Sequence, residues 1–229
     1  MSKVLVDRKD LEAIRDYELL GKGYEGSCYF IDDDYIVKLF NEYRKNRKIY
    51  FDDMVCNQIA FPIEKLYTIK NKLLVGYTMK YLEGQKFING FLETLDISSL
   101  KVAYVKIRYI ILNLKNIYMD DNCLENMLYD YELNKINIID TSRWIPSDKE
   151  DINLDNIKEF NWQLMTALLR NINWKQFKLN HDKSLYELFM TYNYSEDTVT
   201  IFLDFLNELE SVISNYKGYK VKTIKDLKI

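Results

Sequence analysis

The chain has 229 residues, 48% of them hydrophobic, and carries 32 basic against 35 acidic side chains. That is enough apolar material for one substantial core or for two lobes, and the near balance of charge argues against a nucleic-acid surface as its main business. Its single histidine, His181, excludes Ser-His-Asp hydrolases, Cys-His proteases and multi-histidine metal centres, because each needs an imidazole placed by a partner; His181 itself, in a polar stretch, reads as a surface residue.

The N-terminal run Met1 to Arg8 lacks the apolar core of a signal peptide. The greasiest later stretch, Val102 to Leu114, is interrupted by Lys106 and Arg108, which is unlike a membrane span. Cys28, Cys56 and Cys123 show neither the even count of a disulfide framework nor zinc spacing. These features together lead to the expectation of a cytoplasmic protein with no membrane partner.

From Tyr17 to Phe40 the pattern is strand, glycine turn, strand, the Asp32-Asp33-Asp34 turn, strand. Residues from about Glu42 to Ile59 place Phe51, Met54, Val55 and Ile59 at helical spacing, with Pro62 as the stop. The basic cluster Arg44, Lys45, Arg47 and Lys48 at the start of that helix reads as a solvated face. Two further strands follow, Leu66 to Ile69 and Leu73 to Met79, so that five strands and one helix make an N-terminal lobe over residues 1–80. Tyr81 to Gly84 is a connector.

Beyond it, Ser99 to Tyr118 carries Leu100, Ala103, Tyr104, Ile107, Ile110, Ile111 and Leu114, the stripe of a long buried helix. The segment Asp120 to Asn137 is turn-rich, and Ile136 to Asp140 is a short apolar strand ending in an acid. Helices are expected over about Leu154 to Arg170, Ser184 to Tyr192 and Ser195 to Asn215, giving a helical lobe over residues 81–229. The fold class is α+β, a β-rich lobe followed by a helical one.

Three features carry chemistry. Gly21, Gly23 and Gly26 sit in the turn Gly-Lys-Gly-Tyr-Glu-Gly; Lys38 lies in the apolar strand that follows; and Asp121, Asn126 and Asp140 come in that order downstream. A glycine-rich hairpin and a strand lysine grip a triphosphate with main-chain amides and a point charge. An acid, an amide five positions later and an acid after the next strand supply a base and two magnesium ligands in the same template. Taken singly, each has a plainer reading: a bulged hairpin, a snorkelling lysine, a solvated turn, a strand exit.

In this order the chain resembles the protein-kinase-like superfamily, which includes protein kinases, aminoglycoside and choline kinases and atypical bacterial members; the likeness runs from about Tyr17 to Arg170. It implies a two-lobed fold binding ATP and Mg2+ and transferring the γ-phosphate to a hydroxyl of a small molecule or a protein. Gly21, Gly23 and Gly26 would lie over the phosphates and Lys38 against the α- and β-phosphates. Met79 would line the adenine pocket, with main chain near Lys80 to Leu82 at the adenine edge. Asp121 would be the base, and Asn126 and Asp140 would hold magnesium.

The departures are specific. Met119-Asp120-Asp121 stands where protein kinases have His-Arg-Asp, Asp140-Thr141-Ser142 stands for Asp-Phe-Gly, and with only Pro62 and Pro146 there is no Ala-Pro-Glu motif. They point away from a regulated protein kinase toward a small acceptor or an unusual docking route, and they leave a pseudokinase scaffold as the alternative. Lys38 should be oriented by an acid of the next helix; Asp52 and Asp53 are the candidates, and Asp52 is favoured because Cys56 lies one turn on.

Overall fold

The computed structural model describes residues 3–42, 47–51, 54–87, 96–170, 187, 191 and 198–215. His181 and most of the helix expected over Ser184 to Tyr192 lie outside them. The architecture is α+β, in two compact units: Met1–Leu82 with Ile138–Pro146, and Glu83–Asn137 with Ser147–Ile229. No helix among the described residues is long and apolar enough to cross a membrane, and none of the three cysteines forms a disulfide.

The first unit is built on a six-stranded sheet of β1 (Lys3–Val6), β2 (Leu19–Lys22), β3 (Gly26–Phe30), β4 (Tyr35–Phe40), β5 (Pro62–Thr68) and β6 (Leu74–Lys80), in the order β1-β5-β6-β4-β3-β2. All neighbouring pairs are antiparallel except β1 with β5, where Lys3 lies opposite Lys65 in a parallel register. Sequence reading missed β1 and the helix after it, α1 (Arg8–Arg15). Their signals are the Val4-Leu5-Val6 run and the Asp7-x-x-Asp10 pair, which forms a capping box in which each aspartate accepts the other's backbone N–H.

Strand periodicity sorts the side chains of β4 onto two faces. Val37 and Leu39 point one way, into a cluster with Val6, Leu66, Val75 and Leu11 of α1. Ile36 and Phe40 point the other way, against Tyr77, Met79, Ala60 and Leu82. Lys38 lies between Ile36 and Phe40 on this second face, opposite Cys28 of β3 and Tyr77 of β6.

The helix expected over Glu42 to Ile59 is not formed: residues 47–51 and 54–60 are irregular or extended. Val55 is 97% exposed while Ile59 is buried, so the apolar stripe does not share one face. Gln58 and Ala60 use their backbone groups instead to pair with the chain at Ile138. Ile138 N–H donates to Gln58 O at 2.7 Å, Ala60 N–H donates to Ile138 O at 2.9 Å, and Ile59 bridges Ile138 in parallel. A helix would have consumed these groups internally. Pro62, expected to end the helix, opens β5, a position where its missing N–H is tolerated.

In the second unit, α2 (Ile97–Asn113), α3 (Ile152–Arg170) and α4 (Thr198–Asn215) pack through aromatic side chains, with Tyr104 4.7 Å from Phe202 and 6.5 Å from Phe160 between ring centroids. Leu100, Ala103, Tyr104, Ile107 and Ile111 form the buried stripe of α2, as the sequence spacing predicts. The helix begins at Asp96, whose carboxylate accepts Ser99 N–H, and stops before the expected Tyr118. The Asn113 amide folds back to donate to Tyr109 O, and Asn116 takes a left-handed conformation at φ 57°, so that Ile117–Tyr118 emerges as a short strand, β8. Two more short strands, β9 (Met127–Asp130) and β10 (Lys135–Ile138), pair in a small sheet with β7 (Gln85–Lys86).

Candidate functional site

The site in the first unit is assembled around Lys38, which is 3% exposed. An ammonium group so buried must be paired, because an isolated charge in an apolar surround is strongly disfavoured. Its nearest partner is Asp140, with Nζ 2.5 Å from Oδ2; Glu25 stands further away, with Oε2 at 3.9 Å. The Ser142 hydroxyl accepts from Lys38 at 3.5 Å and donates to Asp140 Oδ1 at 2.7 Å. The Tyr77 hydroxyl donates to the same oxygen at 3.3 Å.

Electrostatics fix the protonation of this cluster. Burial pushes the Asp140 carboxyl up, but the charge and hydrogen bond of Lys38 and the hydrogen bonds of Ser142 and Tyr77 outweigh it. The net result lies below the ordinary carboxylate value. Burial, with the neighbouring Asp140 charge, drives the Tyr77 phenol well above its usual value, so it stays a donor.

Asp140 is delivered by the ladder that joins Ile138 to residues 58–60, and the following Thr141 Oγ1 donates to Ala60 O at 3.1 Å. Asp140 itself takes φ 60°, a left-handed conformation uncommon outside glycine, asparagine and aspartate. It turns the chain so that Asp140 and Ser142 both face Lys38.

The glycine hairpin reaches the same cluster through Glu25, whose Oε2 lies 3.3 Å from the Ser142 hydroxyl and 3.9 Å from Lys38 Nζ. Gly23 N–H donates to Gly26 O at 2.8 Å to close it, and the Asn41 amide, which sequence reading did not single out, donates to the carbonyls of Gly23 at 3.2 Å and Tyr24 at 2.9 Å. The three glycines are not equivalent. A Cβ at Gly26 would come within 2.3 Å of Leu39 O, whereas at Gly21 it would meet nothing within 4 Å and at Gly23 only Gly26 O at 3.8 Å. Gly26→Ala is therefore expected to lower stability by about 2 kcal/mol through displaced backbone. Gly21→Ala should leave the melting temperature within about 2 °C, so that any loss of ligand binding in it reports on close approach to the hairpin. Equal melting of the two variants would contradict this assignment.

Met79 lies buried on the Lys38 face of the sheet among Ile36, Ala60 and Leu82, with Ile139 packed on the group. Lys80 is exposed at the end of β6 and Leu82 is buried just beyond it. Asp52, the expected partner of Lys38, lies outside the described residues, as does Asp53. Among the described residues, the carboxylates found at Lys38 are Asp140 and Glu25.

The second unit carries Asp121 and Asn126 in one tight loop. Asp121 adopts φ 64°. Its carbonyl accepts from Cys123 N–H at 2.9 Å and from the Asn126 side-chain amide at 3.0 Å, so the aspartate and the asparagine five positions later are tied together through backbone. The loop is anchored by Asn156 of α3, buried to 2% exposure. Its amide oxygen accepts Met119 N–H at 3.0 Å and its amide nitrogen donates to Ile117 O at 2.7 Å. Nothing local in the sequence distinguishes Asn156 from the many other asparagines of this chain.

Glu25 carried no role in the sequence reading, and Arg47 was placed there in a solvated basic cluster. Arg47, expected on a solvated face, is 84% buried by side-chain area (16% exposed), with its guanidinium 3.9 Å over the Phe40 ring and Nη2 3.6 Å from Glu25 Oε1. The available signal was position alone: Glu25 lies between the second and third glycines of the hairpin. No protein-family model matches this chain, and no curated protein matches it in sequence.

Proposed function

We propose that the chain is an ATP-dependent phosphotransferase of the protein-kinase-like, two-lobed kind. The observation that carries this reading is the contact between Lys38 and Asp140, made by residues far apart in sequence with Glu25 of the glycine hairpin alongside. Two further features support it. Asp121 and Asp140, the residues named for base and metal ligand, both hold left-handed backbone, and such conformations cluster at functional sites. Asp121 and Asn126 are locked in one loop.

In this reading Lys38 neutralises charge on the phosphates, Met79 and the chain from Lys80 to Leu82 hold the adenine, and Asp121 orients the acceptor hydroxyl and takes its proton. The donor chemistry of each residue suits magnesium. Asp140 is an ionised carboxylate and Asn126 carries an amide oxygen, and magnesium is ordinarily held by one or two carboxylates together with substrate phosphates and water. No group of three potential ligands occurs among the described residues, and such a phosphate-completed site needs none. When bound, the ion would screen the phosphate charge.

A second reading, a pseudokinase that binds nucleotide without turnover, is favoured by two observations. Lys38 and a metal ion would compete for the same Asp140 oxygen, and the residues before Asp121 lack the His-Arg pair of active protein kinases. Thermal melting with ATP and magnesium at a hundred times the dissociation constant should add about 2.7 kcal/mol of stability, and labelled γ-phosphate should appear on an acceptor or as inorganic phosphate. A stability gain without turnover selects the pseudokinase; no gain sinks both.

A further inference from the structure

Three charged groups meet beside the glycine hairpin, and their geometry is unfinished. The Glu25 carboxylate presents one oxygen to each of two cations, Oε2 to Lys38 Nζ at 3.9 Å and Oε1 to Arg47 Nη2 at 3.6 Å. Both separations exceed hydrogen-bond length; Glu25 Oε2 also lies 3.3 Å from the Ser142 hydroxyl, whose closer acceptor is Asp140 Oδ1 at 2.7 Å. Among the described residues, buried Arg47 Nη1 has no hydrogen-bond partner, a costly condition for a guanidinium, whose planar fork matches an anion with several oxygens. The guanidinium is held in place by the Phe40 ring beneath it.

We infer that Arg47 is a second phosphate-binding cation of this unit, and that Glu25 is an internal anion which a polyphosphate chain displaces from Arg47 and Lys38. The inference rests on the nucleotide-binding reading above and deepens it by naming where the phosphates dock and what they exchange with. Charge favours the exchange. Lys38 and Arg47 together face Asp140 and Glu25, so removing the Glu25 carboxylate from the cluster leaves a net positive site for the incoming anion. A phosphate oxygen pair can take both Nη groups of Arg47, which one distant carboxylate oxygen does not. Glu25 is able to leave because it rides on the turn between Gly23 and Gly26, whose tip residue Tyr24 is 94% exposed.

The test uses the full chain and three probes, inorganic tripolyphosphate, ATP and adenosine, with binding followed by calorimetry for the wild type, Glu25→Gln and Arg47→Met. Arg47→Met is expected to weaken tripolyphosphate and ATP by about tenfold, the loss of a charge-assisted hydrogen bond, while adenosine binding is unchanged. Glu25→Gln is expected to tighten both phosphate probes, because the competing carboxylate charge is gone. Unchanged phosphate affinity in Arg47→Met, or weakened affinity in Glu25→Gln, overturns the inference; if Arg47→Met does not fold, Glu25→Gln alone decides. Wild-type binding of tripolyphosphate without binding of ATP would leave the anion site standing and remove the nucleotide reading. ATP binding indifferent to both substitutions would do the reverse, and binding of neither probe would remove both.

Discussion

Asp140→Asn is expected to destabilise the protein by about 3 kcal/mol at pH 7, the cost of leaving one member of a buried ion pair without its partner. Lys38→Met should cost clearly less, although it breaks the same contact. The asymmetry comes from burial. The Lys38 side chain is 4% exposed and the Asp140 side chain 26%. Among the described residues a stranded lysine keeps one carboxylate, Glu25 at 3.9 Å, and the neutral Ser142 hydroxyl at 3.5 Å, whereas a stranded aspartate can hydrate or take up a proton. A methionine in place of Lys38 would also continue the apolar face formed by Ile36, Phe40 and Tyr77.

The pH dependence has a definite sign. Asp140 titrates lower in the folded chain than an ordinary carboxyl does, so the unfolded state binds its proton first as pH falls. The stability it supplies is complete above the unfolded value of about 4 and is lost as pH drops through the folded value. Urea titrations of wild type and Asp140→Asn should therefore converge below about pH 4. A gap that persists into stronger acid, or a Lys38→Met variant less stable than Asp140→Asn at neutral pH, would show that the pair is not organised in this way.

If the chain is the phosphotransferase proposed above, Asp121→Asn should lower phosphate transfer by roughly 10² to 10⁴, the usual contribution of a positioned general base, while leaving the melting temperature nearly unchanged. Asparagine is the informative substitution. Asp121 sits at φ 64° with its backbone carbonyl bound by Cys123 N–H and the Asn126 amide. Asparagine tolerates the left-handed region as well as aspartate does, whereas alanine would add about 1 kcal/mol of backbone strain and confuse a folding defect with a chemical one. An Asp121→Asn protein that retains full turnover removes Asp121 from the chemistry. Loss of turnover with an equal loss of stability would place its role in the loop rather than in proton transfer.

Local rules explain what the sequence determined by itself. Alternating side chains and turn residues give β2, β3 and β4 their hairpins, the i, i+3, i+4 stripe from Leu100 to Ile111 gives α2, and the α+β composition follows from their order. The candidate residues were nameable for a similar reason: Asp121, Asn126 and Asp140 are reactive side chains at a turn or strand end with fixed offsets, and Lys38 is a lysine within an apolar strand after a glycine turn.

Tertiary structure alone decided who pairs with whom. The apolar spacing from Phe51 to Ile59 suits a helix taken alone, yet residues 58–60 are extended because the strand at Ile138 offers their backbone groups a partner. That same ladder brings Asp140 to Lys38, and burial of Lys38 then draws in Glu25 and Ser142. It also determined that Arg47, one cation of a run that looks solvated, lies against Phe40. Periodicity, caps and turn preferences act over about a dozen residues. Desolvation of a charge is settled by whatever packs around it, and for Lys38 those groups come from segments that no local pattern connects.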